Sequence, residues 1–160
     1  MSMIGNLLAL PQTELDALYT NPESVPMVLY ETRASEAVDL DKAWHGIHFM
    51  LTGEQYGGAG PLAQFIMGGV PIGEEDVGYG PARGMSASDV KEVAAALGQI
   101  SETDFRDRFD PAALSNADIY PRIWEDGDSA LNYITDNFLE AKRFYETAAN
   151  KELAAILFIN

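Results

Sequence analysis

Cysteine is missing from all 160 residues, which removes disulfides, thiolate zinc sites and cysteine nucleophiles together and fits a reducing cytoplasm. Bases are scarce. Ten Lys and Arg stand against 25 Asp and Glu, and the formal net charge of -15 repels phosphate backbones and anionic lipid, so no nucleic acid is expected as a partner. No apolar run reaches the length of a membrane span, and the opening MSMIGNLLALPQTELD has no Lys or Arg and meets Pro11 and acids early, so it is read as neither signal nor anchor. Histidine is confined to His45 and His48, so a metal would need both together with a carboxylate such as Asp41 or Asp76. The HExxH pattern, the G-x-S-x-G elbow, the G-x-G-x-x-G turn and the Walker loop are all absent, and neither metal nor cofactor is expected.

What is present suits one domain spanning residues 1–160, since a chain of this length that is 47% hydrophobic can bury a real core. Met3 to Leu10 reads as a strand stopped by Pro11, and Thr13 with Asp16 three residues on suggests the cap of a short helix. Val25 to Tyr30, with Pro26 suited to a first turn, suggests a further helix. Asp39 or Asp41 can cap the next one, in which Leu40, Trp44, Ile47, His48 and Leu51 recur as a buried stripe until Thr52 and Gly53 end it. The glycines from Gly57 to Gly60 mark a mobile loop, and Leu62 to Met67 reads as a helix closed by Gly68. Val70 to Gly84, dense in Gly and Pro, reads as an ordered loop or irregular structure. Ser86 caps a helix through Leu97, Ser101 another, and Asp110 with Pro111 a third. Asp128 to Ala149 is the longest helical pattern, with Leu131, Ile134, Phe138, Ala141, Phe144 and Tyr145 on one face, and Leu153 to Asn160 is a terminal strand.

Two blocks carry the chemistry. LDKAWHGIHFML, Leu40 to Leu51, sets Asp41, Trp44, His45 and His48 three or four residues apart on neighbouring faces of one helix. His48 shares the stripe of Trp44 and Leu51, where a hydrogen-bonded core histidine is the plain reading, while His45 lies one face over and is the better candidate for solvent or ligand. EDVGYGPAR brings Asp76, Tyr79 and Arg83 within eight residues, the components of a polar pocket. Arg83 could equally pair Asp76 and fix the loop. Trp44 and Trp124 are expected to serve first as core anchors.

MSMIGNLLAL, VDLDKAWHGIHFMLTG, GGVPIGEEDVGYGPARGMS, FDPAAL and IYPRIWE, taken with a C-terminal strand after a long helix, resemble the YfbM-like family of small bacterial proteins of unknown function. The resemblance covers essentially the whole chain, and LDKAWHGIH and EDVGYGPAR are its most specific blocks. It implies an α/β protein, helix-rich, with a small central sheet between helices, α+β being the alternative. It implies no reaction.

Two functions from different classes follow. The first is a pocket for a small polar or anionic ligand where the AWHGIH helix meets the EDVGYGPAR loop, with Asp41 or His45 as acid/base and Arg83 holding an anion. The second is a non-enzymatic, immunity-type module whose acidic surface covers a basic protein partner.

Overall fold

The computed structural model describes residues 2–160. Its strands are β1 (Gly5–Leu10), β2 (Val38–Asp39), β3 (Val70–Asp76), β4 (Pro81–Met85) and β5 (Ala154–Ile159), joined in the order β2-β1-β5-β4-β3. Every pairing is antiparallel. The helices are α1 (Gln12–Thr20), α2 (Val25–Met27), α3 (Trp44–Thr52), α4 (Ala87–Gly98), α5 (Glu102–Asp107), α6 (Pro111–Asn116) and α7 (Asp128–Asn150).

The central strands are apolar on both faces because helices cover both. Along β5, Ala155 and Leu157 join Leu7 and Met85 beneath α3 to α7, in a core that also holds Trp44, Phe105, Trp124, Phe138 and Tyr145. Ala154, Ile156 and Phe158 point the other way and meet Leu8, Leu10, Leu15, Leu18 and Leu29 beneath α1 and the turn after α2. Strand alternation thus splits the apolar residues between two cores, giving the sheet between helices that the family resemblance implies.

Local signals act where expected in the second half. Ser86 Oγ accepts from Asp89 N–H, Ser101 and Asp104 form a reciprocal capping box, and Asp110 caps α6 with Pro111 in its first turn. The first half departs from the reading in several places. Helix α1 begins at Gln12 behind Pro11 with no side-chain cap, so Thr13 lies inside it. Only Val25–Met27 of the next segment is α-helical, and a π-helical turn, Val28–Thr32, follows. Pro61–Gln64 is a 3-10 turn rather than the start of a longer helix, although Gly68 N–H does close back on the Gln64 carbonyl at 3.1 Å.

The largest correction is Val70 to Gly84, which is no loop but the β3–β4 hairpin. Its register slips between Pro71 and Asp76, with Gly73 at φ 72° inside the irregular stretch. Only Ile72 on β3 and Ala82 on β4 point into the second core, so the period-two signal is nearly hidden by the Gly and Pro around it.

Candidate functional site

Helix α3 is placed by packing rather than by a cap. Asp39 Oδ1 accepts the Asp41 N–H at 2.6 Å and Asp41 takes a left-handed φ of 48°, so the acids shape the 3-10 turn Asp41–Ala43 and neither caps α3 by its side chain. Gly46 is the contact point with the rest of the core. A Cβ there would stand 2.5 Å from Trp124 Cη2 and 2.6 Å from Ile134 Cδ1, so only glycine lets the helix lie this close. Gly53, at φ 75°, ends the helix as expected, its N–H donating to the Phe49 carbonyl.

From the start of α3 three rings run in a stack. Trp44 and His45 lie 5.0 Å apart at 17°, and His45 and Tyr56 lie 5.1 Å apart at 22°. They form one wall of a cleft of about 580 Å³ whose other walls include Tyr79, Tyr120, Arg122, Asp118 and Ile159. Hydrogen bonds tie the wall together: Trp44 Nε1–H donates to the Met3 carbonyl at 2.9 Å, and Met3 N–H donates to the Tyr120 hydroxyl at 3.1 Å. Tyr79 reaches the cleft because its N–H donates to the Ile159 carbonyl at 3.0 Å, pinning the hairpin tip to the end of β5. Arg122 pairs with Asp118 at 2.5 Å at the exposed rim.

His45 is almost fully buried, contrary to its reading as the solvent-facing histidine, and both ring nitrogens are engaged. Tyr120 N–H donates to Nδ1 at 3.1 Å, so Nδ1 must be the unprotonated nitrogen and Nε2 carries the hydrogen that it donates to the Gln55 carbonyl at 2.9 Å. Burial lowers the His45 pKa below its ordinary value, against the bond to Gln55 and the charge of Asp118. It is therefore a neutral imidazole that joins the Tyr120 and Gln55 loops, each ring nitrogen bonded to a backbone group.

The other expected residues serve elsewhere. Asp41 accepts from the Tyr133 hydroxyl at 2.7 Å, while that oxygen accepts from Lys42 N–H at 3.0 Å. Burial first, and then the bond to Asp41, raise the Tyr133 pKa. His48 belongs to the buried stripe, yet neither ring nitrogen completes a hydrogen bond among the described residues, so it is not the hydrogen-bonded core histidine of the plain reading. Its pKa is lowered, chiefly by burial, with the nearby Gly57 backbone and the charge of Glu54 opposing this and His45 adding to it.

Asp76 and Arg83 do not pair. Asp76 Oδ1 accepts from Gly78 and Gly80 N–H at 2.7 and 3.0 Å and so holds the hairpin turn. Arg83 donates to the Gly68 and Ile66 carbonyls at 2.8 and 2.7 Å, and Tyr145 O–H donates to the Phe65 carbonyl in the same segment. Burial pushes the Arg83 pKa down. The expected set thus divides: Trp44, His45 and Tyr79 share the cleft, while Asp41, His48, Asp76 and Arg83 are outside its lining. Tyr56, Tyr120 and Arg122 are the additions. The signal for Tyr56 was an aromatic residue inside a glycine loop, and for the other two a Tyr-Pro-Arg turn. Among the described residues, no three of His, Asp and Glu converge as a metal site.

A family model described as "Domain of unknown function (DUF1877)" matches residues 1–158. The chain belongs to this family. As a DUF1877 protein it shares its fold with the crystal structure of YfbM from Escherichia coli, itself a protein of unknown function, at a TM-score of 0.75 and 19% identity. That likeness covers 98% of this chain and 99% of the other, and it speaks for the fold alone. The expected YfbM-like membership is therefore correct. No curated protein matches the DUF1877 chain. Among its described residues no helix is long and apolar enough to cross a membrane.

Proposed function

We propose that the aromatic cleft binds a small polar or anionic molecule that carries a ring, and that this chain is a binding domain rather than an acid–base enzyme. The observation that carries the reading is the three-ring stack Trp44, His45 and Tyr56 facing Tyr79 and Tyr120 across about 580 Å³, a volume suited to one small ligand. Tyr56 and Tyr79 are 63% and 40% exposed, a cost in hydrated apolar surface that stacking on a ligand ring would relieve. Arg122, held among the described residues by the neighbouring Asp118 alone and open to solvent, is the cation that an anionic substituent would meet.

The doubly bonded His45 supports binding over catalysis, since its two nitrogens already have partners. The same proposal takes the chain as one domain in a bacterial cytoplasm. A thermal-shift screen of ring-bearing polar metabolites tests it. Hits should lose their effect in Tyr56→Ala and, for anions, in Arg122→Gln, whereas hits indifferent to both substitutions would remove the cleft from consideration. The acidic-module reading, in which a basic protein is the partner, rests on the charge of -15 without a particular surface feature and stands second.

A further inference from the structure

The glycine segment after α3, residues 53–60, is anchored on that helix at the two histidines of the chain. Gly53, Gly57, Gly58 and Gly60 all take positive φ, from 65° to 111°, and every residue of the segment but Gln55 is exposed. Among the described residues, a single hydrogen bond ties residues 55–59 to the rest of the fold, the one in which His45 Nε2–H donates to the Gln55 carbonyl. Tyr56 lays its ring on the His45 ring, 5.1 Å away. Three residues on, the buried His48 ring lies near the Gly57 backbone, with neither nitrogen satisfied among the described residues. The far wall of the cleft uses the same His45 ring, since Tyr120 N–H donates to Nδ1 at 3.1 Å.

Both contacts require neutral imidazoles. A protonated Nδ1 would point its hydrogen at the Tyr120 N–H, two donors 3.1 Å apart, so an imidazolium at His45 cannot keep that contact. An imidazolium at His48 would be fully buried beside a second charged ring, and lifting the glycine segment is what would give it water. Of the groups packed around the pair, Asp118 favours a charged His45 and Glu54 a charged His48, yet burial outweighs both and each pKa is lowered. Arg122 lines the cleft beside Asp118, and Arg108 donates to the Met50 and Leu51 carbonyls at 3.3 Å, so cations stand on two further sides. The phenols of Tyr56, Tyr79 and Tyr120 line the cleft, and Asp41 and Lys42 sit with Tyr133 just before α3. Helix α7 meets Gly46 through Ile134, and Pro61–Gln64 has no ionisable side chain.

We propose that residues 53–60 form an acid-released lid on the aromatic cleft: protonation of His45 and His48 lifts the segment from α3, carries Tyr56 off the His45 ring and lets Tyr120 N–H go. The sign follows from burial. Closed, both rings titrate below 6.5; open, they meet water and titrate near 6.5, so the lid is shut above about pH 6.5 and opening gains below it. Each histidine multiplies the opening equilibrium by up to about ten per pH unit, and the two together by up to about a hundred. As control over a ligand this rests on the cleft being a binding site; the opening itself does not, and it is measured with no ligand present.

The test is native-state hydrogen exchange of the full chain between about pH 7.5 and 5.5, read by NMR as protection factors, together with the ring nitrogen shifts of both histidines. Protection of Tyr120 N–H should fall on acidification, by up to about a hundred-fold over that range. It should stay below that of Ile156 in the central strand β5 and be indifferent to dilute urea, the mark of a local opening. The amides of Gln55, Tyr56 and Gly57 should shift in step with the histidine rings. His45→Asn, whose side-chain oxygen can accept from Tyr120 N–H but does not titrate, and His48→Leu should each take away part of the fall, and the two together all of it. The proposal fails if Tyr120 protection is independent of pH, or if it is lost only with that of Ile156 in a urea-sensitive step. It fails equally if the histidines titrate while Gln55, Tyr56 and Gly57 stay still, or if either variant keeps the full fall.

Discussion

Replacing His48 with leucine should stabilise the protein, the reverse of what truncating a core residue does. His48 is fully buried, and neither Nδ1 nor Nε2 has a hydrogen-bond partner among the described residues, so the native state carries the desolvation cost of an imidazole without its return. Such a group costs about 1 to 3 kcal/mol. Leucine is of similar size and has no polar atom, so at pH 8 His48→Leu should gain about 1 to 2 kcal/mol, or roughly 2 to 8 °C in Tm for a chain of this length. Acid should widen the gap. The His48 pKa lies below 6.5 in the folded state, so as pH falls through 6.5 the unfolded chain takes up a proton that the native chain refuses. Wild-type stability is thus whole above about pH 6.5 and declines below it, by up to about 1.4 kcal/mol per pH unit for each such histidine, until the folded pKa is reached. The variant escapes this loss at position 48 and keeps it at His45, whose pKa is lowered too. Urea melts followed by tryptophan fluorescence at pH 8, 6.5 and 5.5 measure both effects. A loss of more than about 1 kcal/mol at pH 8, or a gap that stays constant on acidification, would refute the reasoning.

Gly46→Ala should cost about 2 to 3 kcal/mol by overpacking, because the added methyl meets Trp124 and Ile134, and a denaturant midpoint close to wild type would contradict the α3 packing. Arg83→Ala should cost about 2 to 4 kcal/mol by leaving the Ile66 and Gly68 carbonyls without their donor, with Arg83→Lys recovering part, as read by the same melts. Tyr133→Phe removes a bond to Asp41 and one from Lys42 N–H, and a loss of about 1 kcal/mol is expected by thermal unfolding.

Much of the fold was legible because its signals are local. Serine and aspartate at helix starts, Asp110 before Pro111, the 3.6-residue stripe of α7 and the apolar terminal strand each act within a few residues of themselves. The hairpin was not legible, since β3 gives the core one side chain, Ile72, and owes its place to pairing with β4, a contact that spacing does not encode. The site divided for the same reason. Trp44 and His45 are neighbours on α3 and Tyr79 is pinned to β5, but which polar group meets which is decided by long-range contacts: Tyr120 supplies the N–H that fixes the His45 tautomer, and Arg83 finds carbonyls instead of Asp76. Spacing on a helix told which residues share a face, and not that a loop from residue 120 would occupy the second nitrogen of His45.

The most direct measurement of the cleft as a binding site is the pair of indole N–H resonances. Trp44 Nε1–H, bonded to the Met3 carbonyl, belongs to the cleft wall, and Trp124 Nε1–H, bonded to the Ile119 carbonyl at 2.8 Å, lies in the core. Titration with ring-bearing polar and anionic metabolites should yield compounds that shift the Trp44 signal saturably, leave the Trp124 signal in place, and lose that effect in Tyr56→Ala. A Trp44 signal unmoved across millimolar compounds, or moved equally with and without Tyr56, would contradict the binding role assigned to the cleft.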